Sequence, residues 1–139
     1  MIDTLQKDMT FTHQYKVPVE KTVPYVYQES DLFRGMPSVF ATAFMVGLME
    51  WACMEALRPY MEEDEISLGT NICVTHSAAT PPGMQVSVEV TLLEVNGPRT
   101  NWSIIARDEQ GLIGKGTHER FSINGTKFRG IVDKKAAAS

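Results

Sequence analysis

The chain has 139 residues, of which 43% are hydrophobic and 22% charged, proportions that exclude a disordered protein. Its length favours one domain over residues 1–139 and can bury roughly two-thirds of the unfolded surface, enough for a core without metal or disulfide staples. Thirteen Lys and Arg against 17 Asp and Glu give a net charge of −4, which disfavours nucleic acid as a partner.

The two cysteines, Cys53 and Cys73, have no second Cys or His at metal-ligand spacing, so we expect neither a zinc site nor a disulfide scaffold. Residues 1–10 lack the apolar run of a signal peptide. The most apolar stretch, residues 39–49, is too short to span a bilayer. These features predict a cytoplasmic protein without a membrane partner.

The first half of the chain predicts a strand, a loop and a helix. Residues 10–18 alternate apolar and polar side chains, which predicts a strand that ends at Pro18. Residues 19–37 contain proline and glycine breakers and several aromatic residues, which favour an irregular loop or lid. Residues 42–60 lack alternation and are rich in Leu, Met and Ala, so they predict one helix. Because this helix is apolar on most sides, we expect it to be buried on more than one face.

The second half predicts an antiparallel sheet. Consecutive strand-like segments joined by short turns predict a meander. These segments are 67–80, 86–92, 102–108 and 112–124. Residues 125–139 are expected to form a frayed tail. One long helix wrapped by such a sheet is an α+β hot-dog fold, and its uncovered apolar surface and edge strand predict a homodimer.

Two titratable residues fall at apolar positions. Glu50 is the only charged residue between Arg34 and Glu55, so it either extends to water at a dimer seam or acts as a general base or a carboxylate that orients water. His76 falls on the mostly apolar face of residues 68–78. It is either a hydrogen-bonded core residue or, if that face packs on the helix, the acid–base partner of Glu50.

Thr42, Gly69 and Arg120 are further candidates. Thr42 begins the helix about 12 Å along the axis from Glu50, at ~1.5 Å per residue, and its purely structural role would be an N-cap or a helix-start hydroxyl. Either Thr42 bends away before the helix, or one pocket draws residues from two subunits. Arg120 forms a surface ion pair or supplies the cation that an anionic substrate needs. Gly69 marks a bulge or lets the backbone approach a ligand.

Three blocks of the sequence resemble the fluoroacetyl-CoA thioesterase family, and the resemblance runs from about Phe11 to Arg120. The blocks are VFATAFMVGLMEWAC (39–53), SLGTNICVTHSAATPPG (67–83) and GTHER (116–120). The resemblance implies a homodimeric hot-dog enzyme that hydrolyses short acyl-CoA thioesters, with coenzyme A as part of the substrate and no separate cofactor. By motif, the family's catalytic threonine, glutamate and histidine fall on Thr42, Glu50 and His76, and its substrate-contacting glycine and arginine on Gly69 and Arg120.

The resemblance also implies an aromatic gate before the helix, where this chain retains Phe33 and has Met36 at the gate position. A flexible thioether closes a pocket less specifically than a rigid ring, so selection for a fluorinated acyl group depends on this segment. Two other functions stay open. A hot-dog enoyl-CoA hydratase also uses an acidic residue and a histidine, and a non-catalytic acyl-CoA-binding protein needs no acid–base trio.

Overall fold

The computed structural model describes residue 1 and residues 3–138, in which five strands form one antiparallel sheet. The strands are β1 (Thr10–Lys16), β2 (Glu65–Val74), β3 (Gln85–Asn96), β4 (Arg99–Asp108) and β5 (Gly111–Asn124). The helices are α1 (Asp31–Arg34), α2 (Thr42–Leu57) and α3 (Gly125–Ala138). Short 3₁₀ turns lie at Val19–Lys21, Val23–Tyr25 and Arg58–Tyr60.

The strand order is β1-β3-β4-β5-β2, and every neighbouring pair is antiparallel. The predicted meander is confirmed for β3, β4 and β5. It is wrong for β2, which pairs with β5 at one edge of the sheet while β1 occupies the free side of β3. The connection over residues 75–84 is too long for a two-residue hairpin turn and contains Pro81 and Pro82, and it carries the chain from the edge strand β2 past β5 and β4 to β3.

The core lies between α2 and one face of the sheet. The predicted alternation in β3 and β4 is confirmed, since the inward residues of both strands are almost wholly buried: Val86, Val88, Val90, Leu92, Trp102, Ile104 and Ala106. The helix contributes side chains at helical spacing: Met45, Leu48, Met49, Ala52, Cys53, Ala56 and Leu57. One long helix on one face of an antiparallel sheet confirms the α+β hot-dog fold.

In this chain α2 buries one face, and the prediction of burial on more than one face is wrong for the single protomer. The opposite side carries Ala43, Gly47 and Met54, all exposed, and Glu50 lies at the border of this side, where its carboxylate still reaches Arg120 in β5. Met54 is 47% exposed. The helix is therefore apolar on a side that its own sheet does not cover.

The segment before α2 is less irregular than predicted. Within residues 19–37, α1 forms a single helical turn, and the Ser30 hydroxyl oxygen accepts a hydrogen bond from the Phe33 amide at 3.3 Å. A serine at this position caps the first turn by satisfying an amide that has no partner inside the helix. The aromatic ring of Phe33 packs on Tyr27, with ring centroids 5.5 Å apart.

The C-terminal segment forms α3, so the prediction of a frayed tail is wrong for residues 125–138; Ser139 lies outside the described residues. The Asn124 side-chain oxygen accepts from the Lys127 amide at 2.9 Å. Asp64 accepts from the Thr126 amide at 3.1 Å and forms an ion pair with Arg129 at 2.6 Å. These capping contacts start a helix that lysines and alanines then extend. None of the helices described is long and apolar enough to cross a membrane.

Candidate active site

Glu50 is held by an arginine from the last strand. Its Oε2 atom accepts a hydrogen bond from Arg120 Nη1 at 2.9 Å, across 70 residues of sequence. The Arg120 side chain is 3% exposed and the Glu50 side chain 38%. The prediction that Arg120 forms a surface ion pair is wrong, because burial places its charge inside the protein against the carboxylate. A charge buried this deeply needs such a partner to offset its lost hydration.

Two further residues complete the surroundings of Arg120. Its Nε donates to the Ser67 hydroxyl at 2.8 Å and its Nη2 donates to the Ser67 carbonyl at 2.7 Å. Its Nη1 also lies 3.1 Å from Nε2 of His118, whose Nδ1 lies 2.6 Å from the carbonyl oxygen of Asn71. Four of the five N–H groups of the guanidinium are thus engaged within this cluster.

Gly69 lies directly against this cluster. A Cβ atom at this position would be 2.5 Å from Glu50 Oε2 and 3.2 Å from His118 Cε1. The pairing of β2 with β5 also shifts between Gly69 and Asn71, which confirms the predicted bulge. A side chain here would collide with the carboxylate, so the glycine is what lets Glu50 approach the strand.

Thr42 and His76 form a second cluster at the start of α2. Thr42 Oγ1 lies 2.7 Å from Nδ1 of His76. The strand β2 ends at Val74, so the prediction of a strand over residues 67–80 is wrong at its C-terminal end, and His76 lies in the connection that follows β2. Nε2 of His76 is buried and lacks a hydrogen-bond partner among the described residues. Burial lowers the pKa of His76 below its usual value.

The two clusters are separate within one chain. Thr42 is the first residue of a continuous helix that includes Glu50, which excludes a bend between them. Each cluster has its own cavity. One of about 280 Å³ is lined by Thr42 and His76. Another of about 260 Å³ is lined by Glu50, Gly69 and His118. The structure therefore does not bring His76 to Glu50 within the protomer.

The predicted gate residues lie apart from the cavity at Thr42, and Cys53 is buried beside the Glu50 cluster. Among the described residues, neither Phe33 nor Met36 lines the cavity at Thr42, and Met36 is 49% exposed. Burial raises the pKa of the Cys53 thiol to about 12, so it stays protonated and is no nucleophile at neutral pH. Within residues 1 and 3–138, no group of three or more His, Cys, Asp or Glu could hold a metal ion.

Sequence reasoning missed His118 and Ser67. The signal for His118 was present, because residues two apart in a strand face the same side and Arg120 follows at that spacing. Ser67 carried no such signal, since its contact with Arg120 depends on how β2 pairs with β5.

Comparison with known proteins identifies the family. The chain is 51% identical over 138 residues to a fluoroacetyl-CoA thioesterase of Streptantibioticus cattleyicolor, covering 99% of both chains. Its structure matches that of the fluoroacetyl-CoA thioesterase FlK with a TM-score of 0.94 and 52% identity, over 96% of this chain and 98% of the other. A thioesterase superfamily member from Thermus thermophilus matches with a TM-score of 0.86 and 27% identity, over 99% and 100% of the two chains. The model of the fluoroacetyl-CoA-specific thioesterases matches residues 12–126, and the chain belongs to that family.

Proposed function

We propose that this chain hydrolyses fluoroacetyl-CoA and related short acyl-CoA thioesters to the free acid and coenzyme A. The observation that carries the proposal is a carboxylate, Glu50, fixed by a buried arginine beside a cavity, in a chain 51% identical to a fluoroacetyl-CoA thioesterase. Variants of FlK have been solved with fluoroacetate and coenzyme A and with acetyl-CoA. Both are ligands of the size that this proposal requires.

Glu50 supplies the base or the nucleophile in this proposal. Its described hydrogen bond engages Oε2, which leaves Oε1 available to accept a proton from water or to attack the thioester carbon. Arg120 holds Oε2 in place and supplies the opposite charge. The arginine therefore contributes through Glu50, by orienting the carboxylate toward the reacting atoms.

The start of α2, at Thr42, supplies groups that act on the thioester carbonyl, and His76 supplies a group that accepts a proton. The amides of the first turn of α2 have no side-chain cap, so they can donate to a carbonyl oxygen that becomes negative in the transition state. His76 is uncharged at neutral pH, since burial lowers its pKa, and it can therefore accept a proton. With a fluorinated substrate, the proton that His76 accepts can come from the α-carbon, whose C–H bond is made more acidic by fluorine.

We further propose that the complete site forms between two copies of the chain. Thr42 and Glu50 are about 12 Å apart along one rigid helix, at ~1.5 Å per residue, which is too far for one acyl group to contact both. The side of α2 that borders Glu50 is apolar and uncovered, and β2 is the edge strand next to Glu50. A homodimer that covers this side can place Thr42 and His76 of one copy beside Glu50 and Gly69 of the other.

The same proposal covers the cellular setting. The 139 residues act as one domain, in the cytoplasm, where coenzyme A thioesters are made and used. No separate cofactor is needed, because a carboxylate, an imidazole and water are sufficient for hydrolysis of a thioester.

The first test replaces the carboxylate. Glu50→Gln keeps an oxygen that accepts from Arg120 but removes the base, so kcat should fall by about 10²–10⁴-fold with the fold intact. Glu55→Gln is the matched control, since Glu55 lies on the same helix and pairs with Arg58 outside both clusters. Thiol release is measured with fluoroacetyl-CoA and acetyl-CoA, and crotonyl-CoA absorbance is followed for hydration. Parent activity in Glu50→Gln, or hydration without hydrolysis, would contradict the proposal.

The second test asks whether a site spans two copies. The His76→Ala and Glu50→Gln variants are first shown to be inactive when each is expressed alone. The two variants are then co-expressed in equal amounts. If each site takes these residues from different copies, mixed dimers regain one native site, and about a quarter of the wild-type activity returns. If both residues act from the same copy, no mixed dimer contains a native site and the activity stays at the level of the separate variants.

A further inference from the structure

We propose that His118 is a positioning residue of the reaction, which fixes Nη1 of Arg120 and through it the catalytic carboxylate of Glu50. This inference rests on the proposed function, because it assigns His118 a role in the same site. It begins from the contacts of a histidine that is 3% exposed and lines the cavity at Glu50.

The two neighbours of His118 determine which ring nitrogen carries the hydrogen. The Asn71 carbonyl, 2.6 Å from Nδ1, can only accept, so Nδ1 must donate. The Arg120 Nη1 atom, 3.1 Å from Nε2, can only donate, so Nε2 must accept. The ring is therefore a neutral imidazole. Burial lowers the pKa of His118, in agreement with this state.

The contact with His118 determines the acceptors of both hydrogens of Arg120 Nη1. One is donated to Glu50 Oε2 at 2.9 Å and the other to His118 Nε2 at 3.1 Å. Ser67 holds the remaining side of the guanidinium through Nε and Nη2. Without the acceptor on His118, Ser67 holds the guanidinium only along its Nε and Nη2 edge, and Nη1 loses the second contact that fixes its position opposite Oε2. The carboxylate of Glu50 would then be held less firmly, because its partner Arg120 is itself held less firmly.

His118 is in turn fixed by the bulge in β2. Asn71, whose carbonyl receives the hydrogen of Nδ1, is the residue at which the pairing with β5 resumes. The absence of a side chain at Gly69 leaves room for the imidazole, since a Cβ there would be 3.2 Å from Cε1. The bulge, His118, Arg120 and Glu50 thus form one continuous chain of contacts that ends at the reacting carboxylate.

Two amide substitutions separate the two hydrogen bonds of the ring. His118→Gln places an oxygen near the position of Nε2, so it can still accept from Arg120. His118→Asn places an amide nitrogen near the position of Nδ1, so it keeps the bond to the Asn71 carbonyl but offers Arg120 no acceptor. If His118 acts by positioning Arg120, kcat should fall about 10–100-fold in His118→Asn and recover most of that loss in His118→Gln, with KM nearly unchanged in both.

A purely structural role predicts the reverse order. If the bond to Asn71 were what matters, His118→Asn would resemble the wild type and His118→Gln would be impaired. Equal kcat in the two variants, or a change confined to KM, would also overturn the inference. Circular dichroism and urea unfolding establish that both variants are folded before kcat is compared.

Two measurements separate this inference from the proposed function. In a Glu50→Gln background, adding His118→Asn should reduce kcat no further, since the group being positioned is already gone. Crystal structures of the two variants should show the Arg120–Glu50 contact retained with Gln and lost with Asn, whatever substrate the enzyme uses. A wild type without thioesterase activity would refute the proposed function alone, whereas an unmoved Arg120 in His118→Asn would refute the role of His118 alone.

Discussion

Gly69→Ala is expected to disable the site while leaving the fold intact. The added Cβ would be 2.5 Å from Glu50 Oε2, whereas ordinary van der Waals contact begins at 3.4 Å, so the carboxylate must retreat by about 0.9 Å. Gly69 has no positive φ, so alanine introduces no backbone strain. The atom displaced is the end of a flexible side chain, so the fold should remain intact, while the lost contact with the buried guanidinium of Arg120 should lower the free energy of unfolding by about 1–3 kcal/mol.

The expected loss of activity follows from that displacement. A retreat of this size stretches the 2.9 Å contact with Arg120 beyond hydrogen-bond range. A misplacement of about 1 Å costs about 10²-fold in rate, or ~2.7 kcal/mol of transition-state stabilisation. The assay is thiol release from fluoroacetyl-CoA, with kcat and KM determined separately and urea unfolding run on the same samples.

Gly130→Ala is the control for Gly69→Ala. A Cβ at Gly130, in α3, would meet nothing within 4 Å, so activity should be unchanged and the helix slightly more stable, by up to about 1 kcal/mol. A folded Gly69→Ala variant with kcat/KM within about twofold of the wild type would refute the reasoning, because the carboxylate would then tolerate the displacement that this geometry imposes.

Three further predictions concern pH, the C-terminal helix and the gate. Burial lowers the pKa of His76 and of His118 in the folded chain. Below about pH 6.5 these two imidazoles therefore bind more protons in the unfolded chain than in the folded chain. The free energy of unfolding should thus fall between pH 7 and pH 5 in urea titrations, and His118→Gln should flatten part of that fall. Asp64→Ala removes the contacts that begin α3 and should speed amide exchange there, at a cost of about 1 kcal/mol, with kcat unchanged. Met36→Phe should raise the ratio of kcat/KM for fluoroacetyl-CoA over acetyl-CoA, and an unchanged ratio would place the gate elsewhere.

Local patterns in the sequence predicted the elements better than their pairing. The alternation in β3 identified its buried residues, because period two in a half-buried strand follows directly from backbone geometry. The place of β2 beside β5 could not be predicted, since strand order depends on contacts between distant residues. The segment with Pro81 and Pro82 has the composition of a turn whether it reverses the chain or crosses the sheet.

The sequence singled out candidate site residues but not the contacts between them. Glu50 was found because a lone charge on an apolar helix requires an explanation, and Arg120 because a −4 protein that binds an anion needs a local cation. Their ion pair depends on the register between β2 and β5 and on how α2 lies over the sheet, neither of which a local pattern encodes. The sequence also could not predict which side of α2 is uncovered. It shows that the helix is apolar but not which surface packs against each side.

The burial of Arg120 has a consequence for how the substrate is held. Four of its N–H groups are used inside the protein and its side chain is 3% exposed, so its charge is out of reach of a phosphate at the surface. The phosphates of a coenzyme A ester must be held by other groups. The residues that contact the acyl group are therefore different from those that contact the nucleotide end of the substrate. A substitution at a surface group that contacts the nucleotide would therefore leave the interior contacts between Arg120 and Glu50 unchanged.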